Sequence, residues 1–376
     1  MSFEEKTSET VNSLKCQNCG ALLHYAPGTN SLRCEYCGTV NVIEDTAQTP
    51  AAIHSFDYNE FIHAEESHTS ATQEAVVVKC TNCGAATTLP PNVTADACPF
   101  CASPLVVDHA KTTTMLQPHY VLPFVVKDNE ALQYFRSWMS KLWFAPSDLV
   151  KKVKDGSSQQ LKGVYLPHWS YDTNTSTDYR GQRGEYYWVT ETYEEEVDGR
   201  TEVRTREVRH TAWYPAAGTV FNQFQDVLVS ASPSLPQKMA QVIEPWKLEQ
   251  LKAYDGRYLS GFRAELYQTD AKQGLTIAKR RMDPEIRSEI CGDIGGDEQV
   301  IDDYDVAYND LALKYLLLPV WISAYKYDGK VYHFVVNAST GEVAGDRPYS
   351  WIKIAGLVIS IILIVVLLYQ LFAHQH

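Results

Sequence analysis

The chain has 376 residues, with 33 Lys and Arg against 46 Asp and Glu, a formal net charge of −13, 45% hydrophobic residues and 21% charged ones. That composition supports a buried core and excludes collagen-like, wholly disordered and polytopic membrane proteins. The acid excess also argues against a dedicated nucleic-acid binder, which presents a basic face to phosphate. Length predicts roughly two to three domains.

The N-terminal MSFEEKTSETVNSLKC has no apolar h-region, so it is not read as a secretory signal. Eight of the nine cysteines lie before residue 102, in four C-x-x-C pairs. Cys16-x-x-Cys19 and Cys34-x-x-Cys37 are separated by fourteen residues, and so are Cys80-x-x-Cys83 and Cys98-x-x-Cys101. The second set lies 64 positions after the first, with Pro27 and Pro91, and Tyr36 and Phe100, at equivalent places. Each set predicts two tight turns on facing hairpins whose thiolates converge in a closed, tetrahedral, structural site. Glycine after the second cysteine of a turn suits its steric demand.

The expected cofactors are therefore two Zn2+, one in each of two small β zinc ribbons. Ribbon 1 spans 11–43 with Cys16, Cys19, Cys34 and Cys37 as ligands; ribbon 2 spans 76–108 with Cys80, Cys83, Cys98 and Cys101. A module of about 30 residues buries too little apolar area to fold alone, so metal would supply much of its folding free energy. Rubredoxin-like iron shares the four-thiolate geometry. Disulfides do not suit a cytosol-facing segment, and dithiol catalysis uses one exposed pair rather than four matched ones. No C-x-x-C precedes His, which excludes c-type haem. Cys291 has no partner motif and reads as an inert thiol. Ribbon 1 nets +1 and ribbon 2 nets −1, far from the Lys and Arg density that phosphate neutralisation demands.

Residues 44–75 contain seven acidic residues and no Lys or Arg, and read as an acidic linker. The alternative is a short helix around Asp57–Glu66 that docks through Phe56, Phe61 and Ile62. His54, His63 and His68 lack the paired spacing of ligands. From 115 to 346 the pattern predicts an α+β domain. Asp128 reads as an N-cap, with Leu132, Phe135, Trp138 and Leu142 on one helical face and Pro146 as the stop. A helix over Ser234–Tyr254 is interrupted at Pro245, and a second over Ala271–Ile290 is broken at Pro284. Strands Val164–Tyr171 and Tyr315–Tyr325 share L-P-x-W, with Lys162, Leu166, Pro167 and Trp169 matching Lys314, Leu318, Pro319 and Trp321 at an offset of 152. This predicts an internal duplication in which Pro starts an edge strand and Trp fills core. Residues 185–214 predict a long hairpin turning at Asp198-Gly199, its Glu and Arg arms paired across the strands. The acidic run from Asp293 to Asp305 lacks the EF-hand ligand order and reads as a solvated loop. A last hairpin turns at Asp328-Gly329.

Ile354–Ala373 is uncharged, and as a helix of 20 residues it would be roughly 30 Å long, the thickness of a bilayer's hydrocarbon core. Tyr349, Trp351, Tyr369 and Phe372 flank it as an aromatic belt would, and Arg347 and Lys353 would hold its N-terminal side in the cytosol. The expectation is one C-terminal transmembrane helix over 352–373, tail-anchoring a cytoplasmic protein in the cell membrane.

There is no G-x-x-x-x-G-K-[ST], H-E-x-x-H or G-x-S-x-G, and no catalytic constellation, so an enzyme is not expected. With the ribbon spacings, the L-P-x-W unit and the terminal apolar segment in place, the chain resembles a bacterial family of membrane-anchored double zinc-ribbon proteins. Members are often labelled primosomal protein N′ or superfamily II helicase-like, and some look like partners of phage-shock and SPFH or virion-core-like proteins. The resemblance implies a scaffold with the bilayer and cytosolic or membrane-associated proteins as partners. The helicase label has no support in these residues. The rival expectation is a membrane-tethered nucleic-acid binder that uses the ribbons, without helicase activity.

Overall fold

A computed structural model describes residues 14–43, 53–89, 95–106, 110–146, 161–197, 200–327 and 330–373. The turns expected at Asp198-Gly199 and Asp328-Gly329, Pro91 and part of the 44–75 stretch lie outside them.

The first metal module is a three-stranded meander, β1 (Leu23–Tyr25), β2 (Ser31–Cys34) and β3 (Val40–Val42). β4 (Phe56–Asp57) and α1 (Tyr58–Glu66) follow. The Asp57 side chain caps α1 by accepting from Glu60 N at 2.9 Å. The stretch read as an acidic linker is thus folded from residue 53. Its hydrophobic residues decide this: Phe61 is buried and meets Trp169 edge-on at 5.9 Å, while Phe56 stacks on His119.

β5 (Thr72–Lys79), β6 (Ala86–Thr88), β7 (Ala95–Ala97), β8 (Pro104–Val106) and β9 (Lys111–Leu116) carry the second module. β5 pairs with β9 from Thr72↔Leu116 to Val77↔Lys111, so this module's sheet reaches beyond 76–108 on both sides.

Next come β10 (Tyr120–Val121), α2 (Asp128–Ser140), β11 (Lys162–Val197), β12 (Arg200–Ser230), α3 (Gln237–Val242), β13 (Lys252–Ala253), β14 (Arg263–Ala264), α4 (Ala271–Ile294), β15 (Glu298–Tyr327), β16 (Lys330–Asn337), β17 (Val343–Gly345) and α5 (Trp351–Ala373). At 36 residues, β11 is roughly 120 Å long.

β11 and β15 pair antiparallel at the centre of a nine-stranded sheet, with Leu166 opposite Leu318. That pair marks a local two-fold. Gly163 faces Trp321 while Trp169 faces Tyr315, β14 runs parallel to β11 at Val164–Tyr165, and β10 runs parallel to β15 at Leu316–Leu317. Each half is a short strand, a helix, a long strand and a returning strand, which is the 152-residue repeat in three dimensions.

Alternation along β11 and β15 sorts the core. Leu166, Leu316, Leu318 and Val320 face ribbon 2 and the segment around α3, which brings Cys80, Cys98, Met239 and Ile243. Tyr165, Leu317 and Trp321 face α2 and ribbon 1, and Trp169, Tyr171 and Tyr315 face α4. The two ribbons therefore bury themselves on opposite faces of one sheet.

Several expectations are corrected. Lys127, not Asp128, is the N-cap of α2; its backbone N–H donates to Glu130 Oε2 at 3.0 Å, and the helix ends at Ser140, before Pro146. The region expected as helix over Ser234–Tyr254 keeps only Gln237–Val242 as α-helix. Pro284 does not break α4. It sits on the exposed side of the helix, where a carbonyl deprived of its N–H partner can be hydrated. The acidic run is no loop beyond Asp297. Glu298 to Asp305 lie in β15, where Asp303 pairs with Arg180 across the sheet.

α5 has 23 residues and contains no acidic group in its first turn. Among the described residues no helix is long and apolar enough to cross a membrane. The transmembrane expectation over 352–373 is corrected to that extent.

Candidate metal centres

Four knuckles of one design hold the eight cysteines. In each, the first cysteine's N–H donates to a carbonyl five residues on: Cys16 to Ala21 at 2.7 Å, Cys34 to Thr39 at 2.9 Å, Cys80 to Ala85 at 2.8 Å and Cys98 to Ser103 at 2.8 Å. The residue after the second cysteine donates back to the first cysteine's carbonyl, at 2.8 to 3.0 Å. That residue must turn left-handed, and φ is 73° at Gly20, 74° at Gly38 and 79° at Gly84. The fourth knuckle places Ala102 there, at φ 57°.

The knuckles pair across each module. Cys16 Sγ lies 3.5 Å from Cys37 Sγ and Cys19 Sγ 3.5 Å from Cys34 Sγ; in ribbon 2, Cys80 to Cys101 is 3.5 Å and Cys83 to Cys98 is 3.7 Å. All four sulfurs of each set lie within 4.8 Å of one another. A zinc ion with four bonds of about 2.3 Å requires sulfur separations of about 3.8 Å. A disulfide would need about 2.05 Å. The two sets are each compact and suited to one structural zinc, two per chain.

Burial follows one rule. The first cysteine of every knuckle is buried in core, whereas Cys19, Cys37 and Cys83 are exposed and Cys101 half-buried. The outer thiols split: Cys37 and Cys101 are disposed to ionise, whereas neighbouring thiols push Cys19 up and burial pushes Cys83 up. The Thr39 hydroxyl, 3.0 Å away, leads the groups that bring Cys37 down to about 5. At Cys101 burial acts upward, but hydrogen bonds from Ser103 and Asn82 outweigh it and leave the thiol at about 6. Thiolates are what a metal requires.

Both modules are fastened to the sheet domain. In ribbon 1, Tyr25 N donates to Ser260 O at 3.0 Å, Gly28 N to Phe124 O at 2.9 Å, and Tyr258 OH to Asn30 Oδ1 at 2.8 Å. In ribbon 2, Leu266 N donates to Ala86 O at 2.9 Å, and Asp96 bonds both Lys162 and Arg263. Of the ribbon aromatics Tyr25, Tyr36 and Phe100, only Tyr36 is exposed, so one ring of the three is open to a partner such as a nucleic-acid base.

One polar cluster escaped sequence reasoning. On either side of Asp172 in β11, β-bulges in β12 and β15, with left-handed Asp226 and Asp310, gather acidic groups around buried Lys314. Lys314 Nζ sits 2.9 Å from Asp172 Oδ2 and 2.7 Å from Asp226 Oδ1, in an open cleft that Asn174 and Asp310 also line. Desolvation acts against the ammonium, but hydrogen bonds to Asp226 and Asp172 outweigh it and raise its pKa, so its lone pair is unavailable as a nucleophile. Lys314 is the repeat partner of Lys162, which likewise bonds a carboxylate, and that match was the one signal in the sequence.

The remaining candidates do not converge. Buried His168 lies 3.1 Å through Nδ1 from Leu166 O, and burial pushes it down to about 4. His54, His63 and His68 are exposed. Among the described residues, groups of three or more prospective ligands are confined to the two cysteine sets.

No family model matches the chain, and no solved structure does. The uncharacterized protein YdjG of Bacillus subtilis (strain 168) is 28% identical over 241 residues, covering 64% of this chain. The match spans 66% of that relative, just under two thirds of its length.

Proposed function

We propose that the chain is a zinc-stabilised scaffold that holds protein partners beside a membrane, to which α5 attaches it. The observation that carries this reading is the placement of the two metal sites. Each is walled into the core on one face of the central sheet, its inner cysteines buried, which suits stabilisation rather than turnover.

The surface left for partners is the arm formed by β11 and β12 from Glu185 to Tyr214, paired in unbroken register from Glu185↔Ala212 to Val197↔Arg200. It exposes Trp188, Val203, Trp213 and Tyr214, an aromatic content typical of protein-binding surfaces. Support for attachment through α5 comes from the uncharged Ile354–Ala373 and the exposure of every side chain from Leu357 to Leu367. Partners of the phage-shock or SPFH type are proposed from the family resemblance. No enzymatic activity is proposed.

Affinity purification of the full chain from detergent-solubilised membranes tests the reading, alongside a variant whose arm tip (187–210) is replaced by a short turn. The full chain should recover reproducible protein partners, and the variant should keep its zinc and lose them. Recovery of no partner, or unchanged recovery without the tip, would count against the scaffold. Salt-sensitive DNA or RNA binding by the chain would favour the nucleic-acid alternative instead.

A further inference from the structure

The first turn of α5 is fastened to the segment that follows α2. Ser350 N donates to Phe144 O at 2.7 Å, and Lys353 Nζ donates to the carbonyls of Trp143 at 3.1 Å and Ala145 at 2.7 Å. Ala145 is fully buried there, yet Trp143 stands 76% exposed. On the α5 side Trp351 is 79% exposed and Tyr349 54%. Two large indoles held open to solvent on one fixed surface, rimmed by polar groups, form the kind of exposed apolar patch that marks an interaction site.

The charges beside them are mostly positive, with Asp346 the acid among them. Arg347 lies over the Tyr349 ring at 5.2 Å, and both line an open cleft with Lys330, Tyr332 and Asp346. With Lys353 and exposed Lys141, this makes a cationic collar on a chain of net charge −13. Amphipathic rings with Lys and Arg, directly at the end of an uncharged helix, form the combination that the headgroup layer of a bilayer stabilises.

We infer that the Trp143–Trp351 surface rests on anionic lipid headgroups, so that the folded domain touches the membrane at Trp143 as well as through α5. This rests on the reading of α5 as the membrane attachment. Continuity with the exposed apolar side chains of α5 selects lipid as the occupant, and the cationic collar selects anionic lipid. The second contact would fix the domain's tilt and hold the β11–β12 arm at a set direction from the bilayer.

Reconstitution of the full, zinc-loaded chain into vesicles of phosphatidylcholine and phosphatidylglycerol with brominated acyl chains tests it by tryptophan quenching. W143F should remove about half of the lipid-quenched emission, because Trp143 and Trp351 are the two indoles of the surface. W188F, which removes an indole 63% exposed on the arm, should leave the quenched share unchanged. A chain that floats with the vesicles but loses no quenching in W143F overturns this inference alone. A chain that does not float overturns the α5 attachment and the inference with it.

Discussion

Trp169 and Trp321 make the same hydrogen bond in the two halves of the sheet domain. Each indole Nε1 donates at 2.8 Å to a carbonyl two residues before a helix, Thr269 ahead of α4 and Val126 ahead of α2. The bond fixes where each helix starts over the sheet, and it explains why Trp recurs in the L-P-x-W unit. Phenylalanine at either position fills most of the space but leaves a buried carbonyl without its donor. Trp169→Phe and Trp321→Phe should each cost about 2 kcal/mol, read from urea unfolding midpoints. A neutral result at one position and a large loss at the other would break the proposed equivalence.

The knuckles offer a matched pair of backbone tests. A Cβ added at Gly84 meets nothing within 4 Å, so Gly84→Ala isolates the left-handed backbone requirement. It should lower the thermal stability of the zinc-loaded chain by about 1 kcal/mol. Ala102 already bears that strain at φ 57°, and Ala102→Gly should gain up to about 1 kcal/mol, less the extra freedom of the unfolded chain. Opposite signs at the two positions are the expected outcome in calorimetry. A loss at both would show that Ala102 makes a contact worth more than its strain.

Much of this was legible in the sequence, and what was not has a common cause. The cysteine sets were readable because a knuckle is closed by residues within five positions of one another. The L-P-x-W repeat was readable as an offset, but that Leu166 lies opposite Leu318 was not, since pairing depends on contacts across the whole domain. The same limit hid β15. Asp302, Asp303 and Asp305 look like a solvated loop until Arg180 and Gln182 are placed beside them. Phe56, Phe61 and Ile62 carried the local hint that the acidic stretch would fold. Asp172, Asp226 and Lys314 meet only because bulges in β12 and β15 coincide on either side of Asp172 in β11.

Glu265 sets a pH dependence. Its carboxyl accepts from the Ser232 hydroxyl, and burial, the dominant cause, pushes it up to about 7 from an ordinary 4.5 against the pull of the Ser232 and Ser234 hydroxyls. The folded chain therefore keeps a proton that the unfolded chain releases. Its contribution is complete below about pH 4.5 and is lost as pH rises through about 7, by up to about 3 kcal/mol. His119 and His168, both pushed down to about 4 by burial, act in the opposite sense as pH falls below 6.5. The comparison must therefore be between wild type and Glu265→Gln across pH. The variant should gain relative stability between pH 5 and pH 8, and a difference independent of pH would show that Glu265 is charged in the folded state.

The central claim is two closed zinc sites, one packed on each face of the central sheet. Elemental analysis of the full chain purified without added metal addresses this directly, with Cys80→Ser as its partner sample. Two zinc ions per chain are predicted, falling to one in Cys80→Ser while ribbon 1 keeps its own. One zinc per wild-type chain, or iron as the main metal, would contradict it.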